Sequence, residues 1–454
     1  LDATGRYVIP GLIDAHMHFE SSMLTCSAFS GPSIASGTTA LFADPHEIAN
    51  VLGTTGIRAM LEEAKELPNR IFFTVPALTP DVPGLETAGA DLRCDSIAAL
   101  LQESNVQALG EMQGVGNAPG LSGAELAAHI LICGGETSCH ETTTKEECLE
   151  KLRNGVTVFM REGSTQKNMA ACIRVVTEDG VDSRKLVLCT DDMTAADLLN
   201  HGHMAEAVRR TIACGIDPVE AIQMATVNPA LHYGHRELGV IAPGKCADLC
   251  LVGDLTEMDV QAVVLRGKLV AENGVMFQPP APRPYPDDIR HSVKNAPVHA
   301  EDLALNASGR TVRVRGIGII PDQNLTDCVE DVLPVKDGIV QPDTSRDLLA
   351  FDCVERHGRR GGIGKTFVRG LGLKQGAIAL SVGHDTHNLM VAGADYHDMA
   401  VAANRVTAMQ GGIALVLNGR CIGDLPLPVA GLMSDVMTAT EMSERLTALC
   451  DAAS

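Results

Sequence analysis

The sequence predicts a parallel (β/α)8 barrel carrying smaller modules. Three observations support this: the chain length, an alternation of short apolar runs with amphipathic segments, and ionisable residues at the ends of those runs. The chain has 454 residues, enough for one barrel of about 250 residues and additional domains. The runs are TTALFADPHE (38–47), RIFFTVPAL (70–78), VQALGEM (106–112), TSCHE (137–141), VTVFMREGS (156–164) and KLVLCTDD (185–192). Between most of them lie helical patterns such as GIRAMLEEAKEL and TKEECLEKLRNG, the second with a Thr start and a Gly stop.

The first run, RYVIPGLIDAHMHFE, is expected to form a single buried strand from Tyr7 to Ile13, with Pro10 and Gly11 near its middle. Side chains two apart on a strand share a face, so His16 and His18 can meet one ion at its C-terminal end. An isolated H-x-H is common by chance. However, Glu111, His140 and Asp191 fall at the ends of later runs, the end where barrels of this class place reactive groups. Each has a structural alternative: a helix cap for Glu111, a satisfied buried imidazole for His140, and an N-cap for Asp191 or Asp192 before a helix near Thr194. Taken together, imidazoles and carboxylates at the same end of successive strands suit a first-row divalent ion such as Zn, Mn or Fe.

Composition narrows the partner. With 36 basic against 57 acidic residues the net charge is −21, which disfavours nucleic acid and anionic membrane and favours a small neutral or cationic substrate. The absence of Trp and the four Tyr leave few platforms for stacking single strands. Fourteen cysteines without C-x-x-C spacing fit reduced thiols in a cytoplasmic protein. No apolar run reaches transmembrane length.

Three motif-like strings are discounted. HFE at His18 matches H-x-E of the zinc nucleobase deaminases, but no P-C-x-x-C follows. RRGGIGKTF has Arg359 where a P-loop needs its first glycine, and is expected to be a turn before a strand. His201 and His203 repeat the H-x-H spacing on an expected helix, where residues two apart do not share a face; both are expected at surface or capping positions.

From about Pro279 the composition shifts. QPPAPRPYPDD (278–288) is expected to be a linker or extended crossing segment. Beyond it, GAIALSVGHDTHNLMVAGAD and GGIALVLNGRCIGDLPL suggest strands separated by the helix MAVAANRVTAMQ. His384, Asp385 and His387 cluster after an apolar run, either as a solvated turn or as groups brought to the barrel mouth.

The strings PGLIDAHMHFESSM, ADPHEIANVLG, LGEM, SCHETTTKEE, REGSTQKN, CTDD, HDTHNLMVAG and LPLPVAGLMSD resemble the adenine deaminase family of the amidohydrolase superfamily over nearly the whole chain. GVIAPGKCADLCLVGD with VQAVVLRGKLVAENG resembles the small β-sandwich domain these enzymes build from both flanks of the barrel. Its first half is expected upstream of Leu1. The resemblance implies a partial small domain at 1–10 and 238–278, a metal-dependent hydrolase barrel at 11–237, and a C-terminal α/β domain at 279–454.

It further implies a binuclear centre of divalent ions, Mn or Fe with Zn as a further option. His16 and His18 would hold one metal from strand one, and Glu111 would bridge two from strand four. His140 would bind the second from strand six, and Asp191 would bind from strand eight while shuttling the proton of the attacking water. The implied reaction, a step of purine salvage, is hydrolytic deamination of adenine to hypoxanthine and ammonia by a metal-activated hydroxide. Proton transfers fall to Glu111, Asp191 and His140, with Glu141 a weaker candidate. Glu20, Ser21, Ser22, Arg161, Glu162, Ser164, His384, Asp385 and His387 are the expected substrate contacts, and a homo-oligomer is expected. The alternatives are another amidohydrolase acting on a cyclic amidine or amide, or a non-catalytic relative with an impaired metal site.

One departure from the family pattern is large. His18 to His46 spans 28 positions and Glu162 to Asp191 spans 29, whereas Glu111 to Asn117 spans six. A parallel crossover needs about a dozen residues or more. Asn117 stands where the family has a strand-five metal-binding His. Either the second metal site is weakened or residues are missing at this junction. The second explanation is favoured, because a true deletion would open the barrel's hydrogen-bonded ring.

Overall fold

Gly11 divides the first apolar run into two strands, not the single strand expected from Tyr7 to Ile13. In the computed structural model, which describes residues 2–80, 82, 84–111, 137–321, 325–384 and 386–453, β1 (Tyr7–Pro10) and β2 (Leu12–His18) belong to different sheets. The reason is a close backbone approach: Gly11 N–H donates to Asp248 O at 2.8 Å, and a Cβ here would stand 2.2 Å from Thr39 Oγ1.

From β2 the parallel strands follow in the predicted places: β3 (Thr38–Ala43), β4 (Arg70–Val75), β5 (Val106–Leu109), β6 (Ser138–Cys139), β7 (Thr157–Arg161), β8 (Leu186–Cys189) and β9 (Asp191–Asp192). They pair in the orders β5-β4-β3-β2-β9 and β6-β7-β8, with Thr190 alone between β8 and β9. Every residue of β2 and β3 is buried, as strands covered on both faces require. Asn117 and the expected break between Met112 and Asn117 lie outside the described residues.

The connecting helices obey their local signals. Thr144 accepts from Glu147 N–H at the start of the helix Lys145–Arg153, and Gly155 at φ +84 follows its end. Of the two positions expected for His203, it takes the capping one, as N-cap residue, and not the surface one. His201 ends the helix Ala195–Asn200 and is exposed, but Gly202 turns the chain so that His203, preceding the helix Met204–Ala213, is fully buried. No continuous helix carries the pair, so the helical spacing argument does not apply.

The small sheet is antiparallel, in the order β1, β10 (Leu249–Val252), β11 (Val260–Leu265), β12 (Lys268–Glu272) and β13 (Val275–Met276). Beyond the Pro-rich crossing lie β14 (Thr311–Ile319), β15 (Thr326–Lys336), β16 (Ile339–Val340), β17 (Leu348–Val354), β18 (Ile363–Arg369), β19 (Ala377–Leu380), β20 (Leu389–Gly393), β21 (Gly412–Leu417) and β22 (Arg420–Pro426). Their order is β16-β15-β14-β18-β17-β20-β19-β21-β22. Met399, Ala402, Ala403 and Val406 of the helix Tyr396–Ala408 share a core with this sheet.

The crossing segment ties the halves together. Tyr285 N–H donates to Asp435 Oδ2 and its hydroxyl to Glu63 Oε2. Met17, Phe73, Leu427, Met433 and Met442 lie in one buried cluster, which seats the C-terminal sheet on the barrel. Among the described residues every cysteine is free, and no helix is long and apolar enough to cross a membrane.

Candidate metal centre

His16 and His18 occupy alternate positions at the end of β2, so both imidazoles project to one face. His18 Nδ1 is 2.7 Å from Asp44 O. A carbonyl only accepts, so this nitrogen carries a proton, and Nε2 is the nitrogen turned toward the cluster. Nε2 stands 3.1 Å from His16 Nε2, 3.0 Å from Asp191 Oδ1 and 3.0 Å from Glu111 Oε1. His16 Nε2 in turn lies 2.8 Å from Glu111 Oε1 and 3.6 Å from Asp191 Oδ1.

Glu111 follows β5 and is set by Asp44, whose Oδ2 accepts from Glu111 N–H at 2.8 Å and from Thr74 Oγ1 at 2.9 Å. A Cβ on Gly110 would be 1.8 Å from that oxygen, so only glycine lets the strand end approach. Asp191 sits at φ +60, a conformation a non-glycine residue holds only when its surroundings enforce it.

Two imidazole nitrogens and two carboxylate oxygens therefore converge within 4.8 Å of one another. These donors fit a divalent ion, since bonds of about 2.0–2.1 Å place neighbouring ligand atoms about 3 Å apart. The electrostatics agree. Burial works against a charged His16, but hydrogen bonds to Asp191 and Glu111 outweigh it and hold the imidazole up at about 9. For Glu111 and Asp191, burial favours the neutral acid, yet the surrounding histidines hold both carboxyls well below the usual range. Imidazoles and carboxylates thus balance each other's charge across the cluster, the place a divalent ion would take. His140 stacks on His16 with ring centroids 4.1 Å apart, and its Nε2 is 3.4 Å from Glu111 Oε1.

The expected substrate contacts sort into two groups. Ser21 hydroxyl reaches Glu47 Oε1 at 3.1 Å and also Asp192 Oδ1. His384 from the C-terminal sheet comes within 3.4 Å of Glu47 and 3.8 Å of Asp192. Glu47 is itself 4.0 Å from His18 Nδ1, so these four line the approach to the cluster. Glu20 lies beside Glu47, and burial followed by that neighbour pushes its carboxyl well up.

The others are engaged by the scaffold. Ser22 bonds Phe19 O, Glu162 pairs with Arg210 at 3.2 Å, and Ser164 Oγ accepts from Thr194 N–H. His387 is fully buried and its Nδ1 accepts from Gly383 N–H, but one of its ring nitrogens also lies within 4.8 Å of Glu47 and His384, so it belongs with the first group as well. Arg161 is buried and donates to Asp191 Oδ2 at 3.1 Å, Glu141 Oε1 at 3.0 Å and Asn168 Oδ1. Asp385 lies outside the described residues.

Sequence reasoning left Asp44, Glu47 and Asp14 without a role, although DPHE contained the first two, and set His203 aside as a surface or capping residue. A charged residue inside the buried β2 was the one available signal for Asp14. Nothing local marked its contact with His203.

Fold and site together define a metal-dependent barrel hydrolase. Residues 7–130 and 139–270 match the amidohydrolase family, and residues 323–454 match the adenine deaminase C-terminal domain. Adenine deaminase 1 of Carboxydothermus hydrogenoformans is 53% identical over 482 aligned positions, covering 99% of this chain and 80% of the relative. Adenine deaminase 3 of Rhizobium meliloti is 41% identical, covering 100% of this chain and 80% of the relative. A solved beta-aspartyl dipeptidase of Fervidobacterium islandicum AW-1 superposes with a TM-score of 0.44 at 17% identity, covering 61% of this chain and 86% of the other. The chain belongs to the adenine deaminase family of amidohydrolases. The 482 aligned positions exceed the 454 residues of the chain, so the relative carries residues within the matched span that this chain lacks.

Proposed function

We propose that this chain hydrolyses adenine to hypoxanthine and ammonia at a divalent metal centre held by His16, His18, Glu111 and Asp191, with His140 and Glu111 serving a second ion. The observation that carries the reading is the His18 Nδ1 contact with Asp44 O, which commits Nε2 to the shared centre. The mixed imidazole and carboxylate donors suit Mn, Fe or Zn. Such an ion, when bound, lowers the pKa of water toward about 7 and supplies a nucleophile at neutral pH.

The chain's own groups handle the protons. The reaction forms a C6–O bond, breaks the C6–N bond and needs a proton on the departing amine. Asp191, its carboxylate plane fixed by the Arg161 bond to Oδ2, takes the water proton. The first water proton passes from Asp191 to the ring, and the second, taken from the new C6 hydroxyl by Glu111 or Asp191, passes to the departing amine, with Glu141, next to His140, positioned to assist. Ser21, Glu47, Asp192 and His384 make the polar rim that reads the purine edge. Burial and then Asp191 push the Asp192 carboxyl up. Polar groups of this kind discriminate strongly against analogues that leave them unpaired.

The test is a substrate panel of adenine, other aminopurines, cyclic amidines and cyclic amides with the metal-loaded chain, following ammonia from the amino compounds and ring opening of the cyclic amides. Adenine should be turned over far faster than the rest. A metal-loaded chain that prefers a cyclic amide, or releases ammonia from none of them, would overturn the proposal.

A further inference from the structure

Asp14 lies two residues before His16, inside the wholly buried β2, and has no exposure at all. Four donors converge on its carboxylate. Oδ1 accepts from His16 N–H at 3.3 Å and from Thr190 N–H at 3.1 Å. Oδ2 accepts from Thr190 Oγ1 at 2.5 Å and faces His203 Nε2 at 2.9 Å. His203, also without exposure, is held from behind: Nδ1 lies 3.0 Å from Thr38 Oγ1, and Phe29 packs edge-on against the ring at 5.2 Å. One carboxylate thus joins the strand bearing His16 and His18 to the residue immediately before Asp191.

We infer that His203, acting through Asp14, is a positioning residue that sets the metal ligands His16 and Asp191. Two features make the link specific. Thr190 gives both its backbone N–H and its hydroxyl to Asp14, which fixes the chain just ahead of the left-handed turn at Asp191. The same Asp14 oxygen that receives Thr190 N–H receives the His16 backbone. His203 orients the other oxygen, and so the plane of the whole carboxylate. Without it, Asp14 Oδ2 keeps only the Thr190 hydroxyl and can rotate, and both ligands lose their common reference.

The inference rests on the metal-centre reading, so its test measures metal binding and not adenine turnover. The full chain, stripped of metal, is titrated with Co(II) against a competing chelator, and its visible spectrum is recorded. His203→Ala should weaken Co(II) binding roughly 10–100-fold, the range for partners that orient metal ligands, and shift the cobalt bands. His203→Gln, whose amide can still donate to Asp14, should restore most of the affinity and the parental spectrum. A merely structural His203 would lower the unfolding temperature of the alanine variant but leave the Co(II) affinity and spectrum parental, and that result overturns the inference. If His203→Ala does not fold, Thr190→Val removes the other donor to the same oxygen at nearly constant volume. It should weaken Co(II) binding in the same direction, and an unchanged affinity and spectrum overturn the inference. A parent chain that binds no Co(II) overturns the metal centre, and this inference with it.

Discussion

Replacing Asp352 by Asn should stabilise the C-terminal sheet at pH 8 much more than at pH 5. Asp352 lies on β17, where Leu348, Ala350 and Val354 alternate onto the core face with it. It is 1% exposed, and its Oδ2 has no hydrogen-bond partner among the described residues. Lys365 stands opposite on β18, but burial outweighs its attraction and pushes the carboxyl from 3.8 to about 7. A raised carboxyl means that the folded chain keeps a proton which the unfolded chain has released. Stability therefore falls as pH rises from about 4 to about 7, and the full penalty stands above that. At about 1.4 kcal/mol per pH unit, the penalty is about 1.5 kcal/mol at pH 5 and about 4 kcal/mol at pH 8. The amide carries no charge in either state. Thermal unfolding of parent and variant at both pH values measures the difference. At roughly 2–4 °C per kcal/mol for a domain of this size, the variant should gain on the order of 10 °C at pH 8 and about a third of that at pH 5. Equal gains at both pH values, or a loss at pH 8, would refute the assignment of Asp352 as a carboxyl buried without adequate partners.

Arg161→Met should lower metal content along with activity. It removes the charged donor from the buried Asp191 Oδ2 and from Asn168 Oδ1, and removing one partner of such a buried pair costs about 3–5 kcal/mol; elemental analysis and thermal unfolding check it. Ser21→Ala should instead depress adenine turnover at unchanged metal content, since the hydroxyl touches Glu47 and Asp192 and none of the four converging ligands; steady-state kinetics with metal analysis separate the two outcomes. Gly110→Ala should abolish metal uptake, because its Cβ would displace the Asp44 oxygen that holds Glu111. A variant that loads metal normally would show that the strand end can shift.

Much of this site was legible because its signals are local. H-x-H at the end of an apolar run and carboxylates at the ends of later runs placed His16, His18, Glu111 and Asp191 at one end of a barrel, and their ligand atoms do converge. Thr144 and Gly155 likewise bounded their helix through contacts a few residues away. What was missed depends on distant partners. Gly11 splits a strand because Thr39 packs against its backbone. His203 looked superficial because the groups that bury it, Asp14, Thr38 and Phe29, come from the beginning of the chain. Arg161 ends its strand like a substrate contact, but its fork geometry is filled by Asp191, Glu141 and Asn168, which spacing along the chain does not reveal.

The central claim is that the buried imidazole and carboxylate cluster makes this chain a metal-dependent adenine deaminase. Its most direct test is ammonia release from adenine by the metal-stripped full chain as Mn(II) is added back, alongside His18→Ala. The parent should be inactive without metal and should form ammonia and hypoxanthine in equal amounts in proportion to the metal it takes up, while His18→Ala should stay inactive at every concentration. Full ammonia release by the stripped parent, or undiminished activity in His18→Ala, would contradict the account.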